Sequence, residues 1–155
     1  HGYQLHASPN HPKSRGQITL NSSDPYEYPK ILFNYLQDEE DLKQTRECIH
    51  VARNILSQPA LAEHAGKEVG PGTKAQSDEE LNEYIRSKAD TAYHPCGTCK
   101  MGVDNMAVVD ENLKVKGIQN LRVIDASVIP EIPSANLNAP TLMIAEKGSD
   151  CILNS

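Results

Sequence analysis

Polar and apolar positions alternate with a period of two over Gln17-Ile18-Thr19-Leu20-Asn21, the pattern of a half-buried strand. Asn21-Ser22-Ser23-Asp24-Pro25 then reads as a turn, because Asn, Asp and Ser bond their own backbone and Pro presets φ. From Tyr28-Pro29 an extended, partly apolar stretch runs through Ile31, Leu32, Phe33, Tyr35 and Leu36. The period then lengthens. Leu42, Ile49, Ala52 and Leu56 recur at helical spacing, and Asp38-Glu39-Glu40-Asp41 puts negative charge where a helix dipole favours it. This predicts a helix over residues 38–57, closed by Pro59. Gly66, Gly70, Pro71 and Gly72 mark a loop. Ser77-Asp78-Glu79-Glu80 has capping-box spacing, and Leu81, Tyr84 and Ile85 supply the apolar face of a second helix to about Ala89.

Beyond residue 105 the pattern is shorter-ranged. Ala107-Val108-Val109-Asp110 and Leu113-Lys114-Val115 read as two short strands around a turn at Glu111-Asn112. Leu121-Arg122-Val123-Ile124-Asp125 is short, apolar and β-branched, like a buried strand. Pro130, Pro133, Ser134 and Asn136 hold an irregular loop. A last helix opens at Asn138-Ala139-Pro140-Thr141 and runs through Leu142, Met143, Ala145, Glu146 and Ile152. Asn138 is its predicted N-cap, and Pro140 sits in the first turn, where a missing N–H costs nothing. Strands and helices in this mixed order give an α+β chain.

Composition narrows the picture. A chain of 155 residues suits one domain burying roughly 70 % of its unfolded surface. No apolar run approaches the ~18 residues that span a bilayer. Lys+Arg number 15 against 21 Asp+Glu, a net charge of -6, which speaks against a nucleic-acid partner. The 4 cysteines, Cys48, Cys96, Cys99 and Cys151, are too few for a disulfide scaffold and fit a reducing compartment, so a cytoplasmic location is expected. The chain opens His1-Gly2-Tyr3, with neither Met nor a targeting pattern, which reads as a piece of something longer or a processed chain.

Two places carry chemistry. The first is Tyr93-His94-Pro95-Cys96-Gly97-Thr98-Cys99. His94, Cys96 and Cys99 are three ligand types suited to zinc, but no second pair completes a four-ligand site. Cys96-Gly97-Thr98-Cys99 is also a Cys-x-x-Cys, although Gly102 and the strands after it do not resemble a thioredoxin-like βαβ context. A third reading is an ordinary loop with small buried thiols and a hydrogen-bonded His. The second place is the loop-to-helix junction at Asn138. The start of a helix has N–H groups without intrahelical partners and partial positive charge, so it can stabilise an anion; it can equally be an ordinary capped helix.

Taken in order, Tyr93 to Gly102, Val108-Val109-Asp110, Leu121 to Pro130 and Asn136-Leu137-Asn138-Ala139-Pro140-Thr141 resemble the C-terminal part of the glucose-methanol-choline (GMC) family of flavin oxidoreductases. Within it the resemblance is to the branch of choline and alcohol dehydrogenases. It extends upstream through Ser14-Arg15-Gly16, Asp24-Pro25 and Ile31-Leu32-Phe33-Asn34-Tyr35, so it covers nearly the whole chain. The resemblance implies an FAD-dependent enzyme that moves hydride from an alcohol carbon to flavin. It also implies that His94 is the general base and that Asn138 positions the substrate oxygen. An imidazole titrates in the range needed to take a hydroxyl proton, whereas an amide can only donate or accept a hydrogen bond.

By the same resemblance, Asp125 and Ala126 make backbone contacts to FAD, and Asn138, Ala139, Pro140 and Thr141 face the flavin. The N–H groups of Ala139 and Thr141 would stabilise charge on reduced flavin, and Pro140 would leave room for close approach. Tyr93 is expected to line the substrate pocket, and Cys96 and Cys99 become packing residues with no metal. The Gly-x-Gly-x-x-Gly turn that holds the ADP half of FAD has no counterpart here, since Gly70-Pro71-Gly72 lacks the third glycine and the flanking strand. The chain alone is therefore expected to be inactive. Residues 1–105 are expected to be substrate-domain material, with antiparallel sheet and helices. Residues 106–155 would be the return into the FAD domain, supplying its last strand and helix. Expected partners are a small alcohol, the N-terminal FAD-binding portion of the same protein, and an electron acceptor reached by peripheral contact with the inner membrane face.

Overall fold

The computed structural model describes residues 2–154, so the His1 at which the chain opens lies outside the described residues. Its regular elements are strands β1 (Gln17–Thr19) and β2 (Lys30–Leu32), helices α1 (Glu39–Leu56), α2 (Asp78–Lys88) and α3 (Asn138–Leu153), and 3-10 turns at Pro59–His64 and Ala126–Val128. β1 and β2 form a small two-stranded sheet, which with the helices makes the architecture α+β. The turn after β1 is built as its residues dictate. Asn21 donates its side-chain amide to Tyr28 O at 2.9 Å, and the Asp24 carboxylate accepts the Tyr26 N–H at 2.9 Å. The chain divides into two units, His1–Gly16 with Lys30–Asp90 and Gln17–Pro29 with Thr91–Ser155. No helix among the described residues is long and apolar enough to cross a membrane.

In the first unit α1 begins where the charge pattern predicts. Asp38 is its N-cap and accepts the Glu40 N–H at 2.9 Å, with Glu39, Glu40 and Asp41 in the first turn. It ends at Leu56, and Pro59 begins a 3-10 turn, which the sequence reading did not include. α2 carries the full capping box: Ser77 Oγ accepts the Glu80 N–H at 3.2 Å, and the Glu80 carboxylate accepts the Ser77 N–H at 2.9 Å. α1 and α2 pack together, burying Leu42, Leu81 and Ile85. Arg46 bridges them, to Asp78 at 3.0 Å and the Asn82 side chain at 2.9 Å. Arg53 holds the glycine-rich loop, pairing with Glu68 at 2.9 Å and donating to the carbonyl of Ala75 at 2.8 Å. The predicted apolar face of α1 is only half covered, with Ile49, Ala52 and Leu56 partly buried.

The second unit is built on Val109, Leu113, Val128, Ile129, Leu137 and Ile144. The strands predicted over 107–110, 113–115 and 121–125 do not form as continuous strands. They reduce to single bridges, Met101 with Val109 in parallel, and Val109 with Val115 and Lys114 with Arg122 antiparallel. The reason is local. Leu113, Gly117 and Asn120 are left-handed, with φ of 64, 79 and 59°, so the chain turns every few residues. The Asp110 carboxylate reinforces the first turn by accepting the Asn112 and Lys114 N–H groups, each at 2.9 Å. Nor is 121–125 buried: Leu121 is 46 % exposed and Asp125 is exposed, because a single bridge covers one edge of the segment.

Candidate active site

The His94 segment is held by its backbone. Tyr93 adopts the left-handed region at φ 60°, and its N–H donates to Thr91 Oγ1 at 3.0 Å. Its ring is 77 % exposed and His94 is half-buried. Gly97 is left-handed at φ 88°, and its carbonyl accepts the Lys100 N–H at 3.2 Å to close a turn. Two hydrogen bonds then fasten this turn to the segment after Asp125: Cys99 N–H to Ser127 O at 3.0 Å, and Met101 N–H to Val128 O at 2.8 Å.

Asp125 and Ala126 sit at the start of the 3-10 turn, where Asp125 is the N-cap. Its carboxylate accepts the Ser127 N–H at 2.8 Å and the Ser127 hydroxyl, so the side chain is committed to the turn. This turn, invisible to the periodicity analysis, was signalled only by the Asp125-Ala126-Ser127 spacing of a side-chain cap.

α3 starts one residue differently from the prediction. Leu137, not Asn138, is the N-cap, and it makes no side-chain cap bond; Asn138 is the first helical residue and is exposed. The physical reason is that the buried Leu137 side chain belongs to the core while its carbonyl receives both the Thr141 N–H at 2.9 Å and the Thr141 hydroxyl at 2.6 Å. The Thr141 N–H is thus used inside the helix. With Pro140 lacking one, the donors left at this helix start are those of Asn138 and Ala139. This sixteen-residue helix has an exposed start that offers two N–H groups and a carboxamide, at the end where the helix dipole is positive.

The structure brings these segments onto one core. Cys96, Met101 and Ala126 pack against the cluster that contains Ile129, Leu137 and Ile144, so the residues flanking His94, those after Asp125 and the start of α3 share a single apolar base. Every buried side-chain nitrogen and oxygen among the described residues has a hydrogen-bond partner. Among the described residues no three His, Cys, Asp or Glu side chains gather as a cation site. No described cysteine is in a disulfide. Two cavities of this unit lie away from the candidate residues. One of about 430 Å³ is bordered by Lys114, Arg122 and Lys147, the other of about 220 Å³ by Met101, Leu113, Met143 and Ile144.

Comparison with known proteins gives a consistent result. The chain is 51 % identical over 152 residues to the oxygen-dependent choline dehydrogenase of Klebsiella pneumoniae, and 49 % identical to that of Escherichia coli O157:H7. These matches cover 98 % of the chain, which spans 27 % of each relative's length. Among solved structures, pyridoxine 4-oxidase from Mesorbium loti superposes with a TM-score of 0.88 at 35 % identity, over 94 % of this chain and 28 % of that one. A fungal aryl-alcohol oxidase gives 0.83 at 35 % identity, over 94 % and 24 %. The GMC oxidoreductase family model matches residues 12–145, and the chain belongs to that family, of which it carries the C-terminal domain.

Proposed function

We propose that this chain is the catalytic-residue-bearing part of an FAD-dependent alcohol dehydrogenase, with choline the foremost candidate substrate. FAD, when bound, supplies the hydride acceptor. The chain's own residues do the rest. His94, as a neutral imidazole, takes the proton of the substrate hydroxyl as hydride leaves the adjoining carbon. The Asn138 carboxamide hydrogen-bonds the same oxygen and holds the carbon in a reactive orientation. The N–H groups of Asn138 and Ala139, with the positive end of α3, stabilise negative charge that develops beside them. Asp125 and Ala126 offer backbone groups to the cofactor, and the exposed Tyr93 ring forms a wall of the substrate pocket. Residues to about 105 belong to the substrate side and the remainder to the flavin side.

The observation that carries this reading is the shared core: the His94 segment, the Asp125–Val128 turn and the start of α3 are built on one apolar cluster, and two backbone hydrogen bonds join the first two. That the candidate residues line neither cavity agrees with a pocket whose other walls come from the longer part of the enzyme. The test is His94→Ala in the complete holoenzyme. Flavin should remain bound while its reduction by the alcohol slows by about 10³-fold, within the range general-base catalysis supplies. Reduction at the wild-type rate would remove His94 from the role.

A further inference from the structure

Gly97 combines two constraints. It is left-handed at φ 88°, and a Cβ built on it would lie 3.3 Å from the carbonyl oxygen of Ile129. That carbonyl belongs to a fixed segment. The Ile129 side chain is in the core, its N–H donates to Ala126 O at 3.2 Å, and the neighbouring Ser127 and Val128 carbonyls accept Cys99 and Met101. Neither partner can therefore yield easily. Gly117 gives the contrast in the same unit: it is equally left-handed, at φ 79°, but nothing lies within 4 Å of its Cβ position.

We propose that Gly97 is a positioning residue for the reaction. Its bare Cα lets the turn after His94 lie directly on the Ile129 carbonyl, and this contact fixes where the His94 imidazole stands. The inference rests on the reading of His94 as the base. The chain from His94 to Gly97 is three residues long, so a lift at Gly97 is passed to the imidazole with little room to relax. A misplacement of about 1 Å in a reacting group is enough to cost up to about 100-fold in rate.

The test compares Gly97→Ala, Gly97→Asn and Gly117→Ala in the complete holoenzyme. Asn tolerates the left-handed region better than Ala yet adds the same Cβ, so it separates backbone strain from contact. For each variant three things are measured: the rate of flavin reduction per bound flavin, the alcohol concentration for half-saturation, and the imidazole position in a crystal structure. Both Gly97 variants should lose about 10- to 100-fold in reduction rate at nearly unchanged half-saturation, with the imidazole displaced by about 1 Å. Gly117→Ala should lower thermal stability alone. The proposal is overturned if the Gly97 variants reduce flavin at the wild-type rate, if Gly117→Ala slows it equally, or if neither Gly97 variant folds with flavin. His94→Ala run alongside separates the two ideas: a fast His94→Ala sinks the base, whereas a slow His94→Ala beside a fast Gly97→Ala sinks only the positioning role.

Discussion

Asp41 shows how far a single residue can be from its sequence reading. The charge pattern places it on the first turn of a helix, where a carboxylate is ordinarily solvated. In the fold it is 2 % exposed and accepts the N–H groups of Lys13 and Ser14, each at 2.7 Å, tying the N-terminal segment to α1. Burial by itself raises its pKa. The Ser14 hydroxyl, the two N–H groups and the Arg15 charge outweigh it, and the carboxyl is held below the usual aspartate value. A depressed pKa contributes stability that is complete above the unfolded-state value and is lost as pH falls through the folded-state value. The wild-type melting temperature should therefore drop on acidification below about pH 4, and that of Asp41→Asn should drop less. At neutral pH Asp41→Ala should cost about 3 kcal/mol, for two charge-assisted hydrogen bonds lost in a buried place, measurable by denaturant titration. His94 and Asn138 entered as candidates through the ordered motifs of the family resemblance, which lie in the sequence itself. Gly97 and Asp41 did not, because their importance lies in what a distant part of the chain puts against them.

Elements divide by where their instructions lie. α1 and α2 carry caps, acidic first turns and basic last turns in their own residues, so their starts were read to within a residue. α3 lacks a side-chain cap, and no basic residue lies in its last turn; its C-terminal end is met instead by Arg122, which donates to Cys151 O at 3.1 Å. Its register depends on packing. A Cβ on Gly148 would lie 2.4 Å from Ile124 Cγ2 and 2.8 Å from its Cδ1, so the helix docks on the segment before Asp125 only because this side is bare. Gly148→Ala gains about 1 kcal/mol in helix propensity but overpacks by about 1–3 kcal/mol. The contact is with the branched Cβ substituent of Ile124 rather than a flexible tip, so overpacking should win. The melting temperature should fall, and Ile124→Val in the same chain should recover part of the loss; a more stable Gly148→Ala would refute this account.

At the scale of the molecule the surface is the main fact. The chain exposes 11882 Å² for a mass of 17.1 kDa. Two separately folded bodies of half that mass each would together expose only about 9,300 Å² by the usual scaling. The exposed surface carries large apolar side chains, among them Tyr93, Val103, Met106, Leu142 and Met143. The chain spans 27 % of the length of the curated relatives it matches. Produced alone, the chain should enhance the fluorescence of an apolar-surface dye several-fold more per mole than the complete holoenzyme does. Equal signals would mean that this surface stays open in the enzyme.

The residues alone determined what is encoded within a few positions of itself: two capped helices, the turn after β1, and the ordered motifs that mark the family. Through those motifs the resemblance singled out His94 and Asn138 as candidates, and the proposed roles rest on the chemistry of an imidazole and an amide. Tertiary structure decided what depends on a neighbour remote in sequence. It broke the predicted strands into single bridges, moved the α3 cap to Leu137, buried Asp41 under Lys13 and Ser14, and set Gly97 against Ile129. Periodicity records which way a residue faces, but the atom it then meets is supplied by another stretch of chain.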